Sequence, residues 1–135
     1  MTKKILVVDD SFVMRTLIKD ILSVDPELLV VGEATNGIEA LEKVRLLQPD
    51  VLLLDIEMPG MDGIECLKRL KLMSPAKVVI VSSVAQVGSP QAVEARMLGA
   101  VDVISKPSGA LSLDLKSKKG SDIVKMSRLA AGLPE

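Results

Sequence analysis

Asp9, Asp10, Asp55, Ser82 and Lys106 join reactive chemistry to telling positions in this 135-residue chain. Each closes a short apolar run: "KILVV" leads into the acid pair, "VLLL" into Asp55, "KVVIVS" ends on Ser82 and "VDVIS" leads into Lys106. A lone carboxylate at the end of a buried strand is expensive to desolvate. Several carboxylates brought together cannot all stay ionised without a counter-charge. A divalent cation answers that need. Magnesium takes hard oxygen ligands, typically one or two carboxylates with water and phosphate completing its octahedron. Lys106 could add a further positive charge, and Ser82 a hydroxyl at the same rim.

Taken singly, each residue has an ordinary role. One acid of the pair, next to Ser11, is expected to cap the first helix, and Asp55 could cap a turn. Ser82 and Ser83 could bond backbone, and Lys106 could be a surface lysine. Met58-Pro59-Gly60 and Asp62-Gly63 are good turn chemistry whatever the function. Cys66 reads as a small helix-face residue, and the seven methionines as core filler. What points to a site is the recurrence of polar groups at successive strand ends.

Those ends need a scaffold. Residues 4–8, 28–33, 51–54, 77–82 and 101–105 read as strands. Their continuous β-branched and leucine runs are the pattern of a parallel sheet covered on both faces. Between them lie helical periods. Met14, Leu17, Ile18 and Ile21 form one stripe within 11–23. Asn36 with Glu39 and Asp62 with Glu65 have capping-box spacing. Ser89, Pro90 and Gly99 mark the start and stop of a fourth helix. The stretch 106–120 is turn-rich and charged, and Met126, Leu129, Ala130 and Leu133 place a fifth helix at about 121–131. Five βα units predict an α/β doubly wound fold of order 2-1-3-4-5, with a crevice where strands 1 and 3 diverge.

Composition narrows the classes. The formal charge is −1, from 17 basic and 18 acidic residues, and one Phe is the sole aromatic, so no nucleic-acid surface is expected. There is no histidine, which excludes a histidine-dependent triad within these residues. No apolar run approaches the ~20 residues of a membrane span, and the start of the chain does not read as a signal peptide. One cysteine excludes an internal disulfide. The expected location is cytoplasmic, without membrane insertion.

The blocks "VVDDS", "LLLDIEMPGMDG", "VIVSS" and "GAVDVISKP" resemble the signatures of response-regulator receiver domains, over about residues 3–107. The resemblance implies a flavodoxin-like receiver fold and phosphorylation on Asp55. It implies Mg²⁺ held directly by Asp10 and Asp55, by the backbone carbonyl of Glu57, and indirectly by Asp9. It implies that Ser82 and Lys106 bind the phosphoryl group, and that the Lys106-Pro107 bond is cis. The phosphoryl donor would be a phosphohistidine-bearing sensor kinase. Receiver domains often carry an aromatic three residues before the lysine; here that position is Val103, which disfavours a tyrosine-type rotamer switch.

The stretch "KPSGALSLDL" is similar to the end of the receiver portion of chemotaxis protein-glutamate methylesterases. That implies a receiver at 1–131, the start of a linker at 132–135, and an effector domain beyond that it regulates. Three other readings compete: a stand-alone response regulator, the receiver of a DNA-binding regulator, and an aspartate-dependent phosphatase. For the last, Glu57 would serve as general acid, but the Met-Pro-Gly that follows and the acid pair argue against it. A dinucleotide binder is disfavoured because Asp-Asp-Ser, not a glycine-rich turn, follows strand 1.

Overall fold

The computed structural model describes residues 2–83, 88–106 and 113–134, with side chains of the last segment from 122 onward. Strands and helices alternate along the chain: β1 (Lys3–Val8), α1 (Phe12–Leu22), β2 (Leu28–Ala34), α2 (Gly37–Leu47), β3 (Val51–Leu54), α3 (Gly63–Met73), β4 (Lys77–Ser82), α4 (Pro90–Met97), β5 (Asp102–Ser105) and α5 (Leu113–Ala131). The strands form one parallel sheet in the order β2-β1-β3-β4-β5, as expected.

Side chains alternate across this sheet and fill two cores. Leu6, Val8, Leu52 and Leu54 pack with Ala40, Leu67 and Ala95 from α2, α3 and α4. Ile5, Val7, Val51 and Leu53 pack with Ile18 and Leu22 of α1 and Ile123 of α5. Coverage on both faces is why β3 is apolar at every position.

Local chemistry sets the helix starts. Asn36 accepts from the Glu39 amide at 2.9 Å, Asp62 from the Glu65 amide at 2.9 Å and Ser89 from the Ala92 amide at 3.1 Å. Glu39 reaches back one residue further than the capping box requires, to the Thr35 amide and hydroxyl. Neither acid of the pair caps α1: Ser11 does, accepting from the Met14 amide. That leaves both carboxylates to the pocket. Gly99 stops α4 with φ of 101°, a conformation glycine adopts without a Cβ penalty.

The fifth helix begins at Leu113, well before the expected start near 121. Gly120 and the lysines around it suggested a turn, yet one glycine inside a helix costs only about 1 kcal/mol relative to alanine. Docked residues beyond it, Ile123 and Ala130, hold the helix against the sheet. Residues 107–112 lie outside the described residues, and the Lys106-Pro107 bond with them.

Candidate metal and phosphoryl site

Strand register builds the pocket. Val8 of β1 stands level with Leu54 of β3, so the residues that follow, Asp9 and Asp55, emerge side by side. The ladder runs one step further, with the Asp9 amide on Ala34 O and the Asp55 amide on Val8 O, both at 3.0 Å. Ser82 pairs with Ser105, and the Lys106 amide bonds Ser82 O at 2.6 Å, which sets the hydroxyl and the lysine next to each other. Every residue expected at the site lies at the carboxyl end of this one sheet.

Side chains close the arrangement. Carboxylate oxygens of Asp9, Asp10 and Asp55 all lie within 4.8 Å of one another. Lys106 Nζ sits 3.0 Å from Asp9 Oδ2 and 3.0 Å from Asp55 Oδ2. Asp9 Oδ1 accepts from the Ser11 amide at 2.9 Å, and Asp55 Oδ1 from the Glu57 amide at 3.3 Å. Asp9 and Asp55 are buried, whereas Asp10 is exposed. The Ser82 hydroxyl is fully buried and has no hydrogen-bond partner among the described residues. Beside Asp10, Glu57, Met58, Asp62 and Gln91 line an open cleft of about 690 Å³.

The electrostatics follow from burial. Desolvation pushes the Asp55 carboxyl up to about 6, against the pull of Lys106 and with a further push from the Asp9 charge. Burial alone would lower the Lys106 ammonium, but its bonds to Asp55 and Asp9 outweigh that and hold it above its ordinary value. One ammonium therefore does not compensate the acids. A hard dication fits the all-oxygen donor set, and Asp10, open to solvent, gives it a way in. An acceptor-poor hydroxyl beside a lysine suits the oxygens of an anion arriving on Asp55.

Gly63 holds the loop after β3 in place. Its amide bonds Ile56 O at 2.8 Å, and a Cβ there would collide with the Asp55 carbonyl oxygen and stand 2.7 Å from Ile56 Cα. The first turn of α3 is thus pressed against the backbone of the candidate nucleophile.

The chain matches the response regulator receiver domain family over residues 5–116. It belongs to that family. The receiver is 51% identical over 129 residues to a protein-glutamate methylesterase/protein-glutamine glutaminase of Syntrophomonas wolfei, covering 96% of this chain and 36% of that relative. It thus spans about a third of the curated relatives it matches. Among solved structures it resembles the response regulator domain of Thermotoga maritima CheB, with TM-score 0.85, 41% identity and full coverage of both chains. It also resembles a chain in the complex of the CheA3 P1 domain with CheY6 from R. sphaeroides, with TM-score 0.79 and 41% identity over 96% of this chain and 97% of that one. The receiver is thus related to the regulatory domain of chemotaxis methylesterases.

Arg15, Lys19 and Glu33 stand beside the site without having been expected there. Arg15 is buried on α1 and donates Nη1 to the Asp9 carbonyl at 2.7 Å and Nε to Glu33 Oε1 at 2.7 Å. Lys19 takes the other Glu33 oxygen. Bonds to Lys19 and Arg15 keep the Glu33 carboxyl below its ordinary value. The second strand, which carries no acid at its tip, reaches the site through this pair. A signal existed: Arg15, Ile18 and Leu22 share one helical stripe, so an arginine stands in an apolar row. Val103, by contrast, is where the sequence suggested, buried in the same core as Ile80 and Ala92.

Proposed function

We propose that this receiver is the phosphoacceptor of a two-component chemotaxis system, phosphorylated on Asp55 with Mg²⁺ and controlling an attached protein-glutamate methylesterase. The convergence of Asp9, Asp10 and Asp55 around the Lys106 ammonium supports this reading above all else. Asp10, Asp55 and the Glu57 carbonyl would hold the metal, with Asp9 acting through water. Bound magnesium supplies positive charge to the acceptor and to the equatorial oxygens of the transferring group.

The protein's own groups do the rest. An ionised Asp55 oxygen attacks phosphorus, the phosphorus–nitrogen bond of a phosphohistidine breaks, and the imidazole leaves and takes a proton. The P1-domain complex noted above is the kind of partner such a donor implies. Lys106 leaves its shared position to bind a phosphoryl oxygen, and the Ser82 hydroxyl donates to another. New negative charge and new acceptors draw these groups inward, biasing a two-state element toward its active form. With Val103 in place of an aromatic, the signal runs through the loop after Ser82, outside the described residues, and through α4.

The receiver is taken as residues 1–131 and the linker as beginning at 132–135, in a cytoplasmic protein. Incubation with Mg²⁺ and a small acyl phosphate, read by intact mass, tests the reading. One phosphoryl group should be gained, and a chelator should block it. Labelling undiminished by chelator would overturn the metal's role.

A further inference from the structure

The Asp9-Asp10 peptide is held from outside the pocket. Asp9 follows the last residue of β1, and its amide makes the final bond to β2, on Ala34 O. Where the next rung to β2 would fall, Arg15 Nη1 bonds the Asp9 carbonyl instead. The same guanidinium, through Nε, is anchored on Glu33, the neighbour of Ala34 on β2. Lys19 fixes the far oxygen of Glu33, and the Phe12 ring lies 5.8 Å from Arg15 Cζ. Asp9 is therefore tied to β2 twice, directly at its amide and through an ion pair at its carbonyl.

That carbonyl belongs to the peptide bond whose nitrogen is Asp10's. We propose that Arg15 is a positioning residue, which sets the plane of the Asp9-Asp10 peptide and so aims the Asp10 carboxylate at a divalent cation. The inference rests on the reading of Asp10 as a metal ligand. Arginine suits the task because its planar fork presents donors in fixed directions to two acceptors at once, which the single flexible ammonium of lysine does not. Outer partners that orient metal ligands typically govern about 10- to 100-fold in metal affinity.

A purely structural tie between α1 and β2 would change stability and leave the cation affinity of the folded protein alone. The two roles separate in a titration of this chain with Mn²⁺, free ion read by electron paramagnetic resonance, and with Mg²⁺ as competitor. The parent, Arg15→Lys and Glu33→Gln are compared well below their melting temperatures. Arg15→Lys should weaken cation binding about tenfold, while its labelling by acyl phosphate recovers at saturating Mg²⁺. Glu33→Gln keeps an acceptor for Nε and should bind nearly as the parent does. A folded Arg15→Lys with the parent's affinity overturns the inference. Should that variant fail to fold, Glu33→Ala removes the anchor while keeping Arg15, and must show the same weakening; parental affinity there overturns the inference equally. A parent that binds neither cation overturns the proposed function itself, and this inference with it.

Discussion

At the scale of single residues, Asp55 carries a tension with a measurable consequence. Burial pushes its carboxyl up to about 6 in the fold, against an ordinary value of 3.8. Between those values the folded chain holds a proton that the unfolded chain has released. The Asp55 contribution to stability is therefore full below the unfolded value and lost as pH rises through about 6. In metal-free buffer Asp55→Asn should be more stable than the parent at pH 7 by up to about 3 kcal/mol. The gap should close near pH 4, as followed by urea unfolding at each pH. Asp25 and Glu33 act with the opposite sign, being held low by their cationic partners, but they are common to both proteins and cancel in the comparison. The acids themselves were legible because each follows an apolar run. Arg15 was legible only as an arginine in an apolar row of α1; its role needs the knowledge that β2 supplies Glu33 opposite it.

At the scale of elements, the pocket depends on how closely α3 approaches the end of β3. Gly63→Ala would place a methyl group against the Asp55 carbonyl and Ile56 Cα, where only backbone can yield. Overpacking of this kind typically costs about 1–3 kcal/mol. The melting temperature should fall, and labelling of Asp55 should slow because its backbone must shift. Element boundaries were readable where a side chain bonds the helix start, as at Asn36, Asp62 and Ser89. They were not readable at α5, where tertiary docking of Ile123 outweighs a weak local sequence. The far end of α5 shows the same dependence on long-range contact. Arg128 donates to Asp25, Glu27 and the Pro134 carbonyl, tying α5 and the segment after it to the loop before β2. Arg128→Ala should leave the site's geometry intact while raising amide exchange in residues 128–133, which hydrogen-exchange mass spectrometry would read.

At the scale of the whole molecule, one sheet separates two cores that share no side chain among the described residues, so their contributions are independent. Leu67 of α3 and Ile123 of α5 are both fully buried, on opposite faces. Truncation of either to alanine should cost about 2–5 kcal/mol. The double variant should lose the sum to within about 0.5 kcal/mol, measured by denaturant unfolding. Alternation of elements and the handedness of their crossovers point to a doubly wound sheet, but the order 2-1-3-4-5 was expected as the commonest at this size, not fixed by the chain's pattern. Meeting of the acids could be foreseen only once that order placed β1 beside β3. The same order makes Asp55 the central tip, flanked by Asp9 on one side and by Ser82 and Lys106 beyond it on the other. The most direct test is to phosphorylate the chain with Mg²⁺ and an acyl phosphate, trap the product with borohydride and map the reduced residue by peptide mass spectrometry. Homoserine should be found at position 55, and Asp55→Asn should trap none there or elsewhere. A reduced residue at any other aspartate of the parent, with position 55 unmodified, would contradict the account.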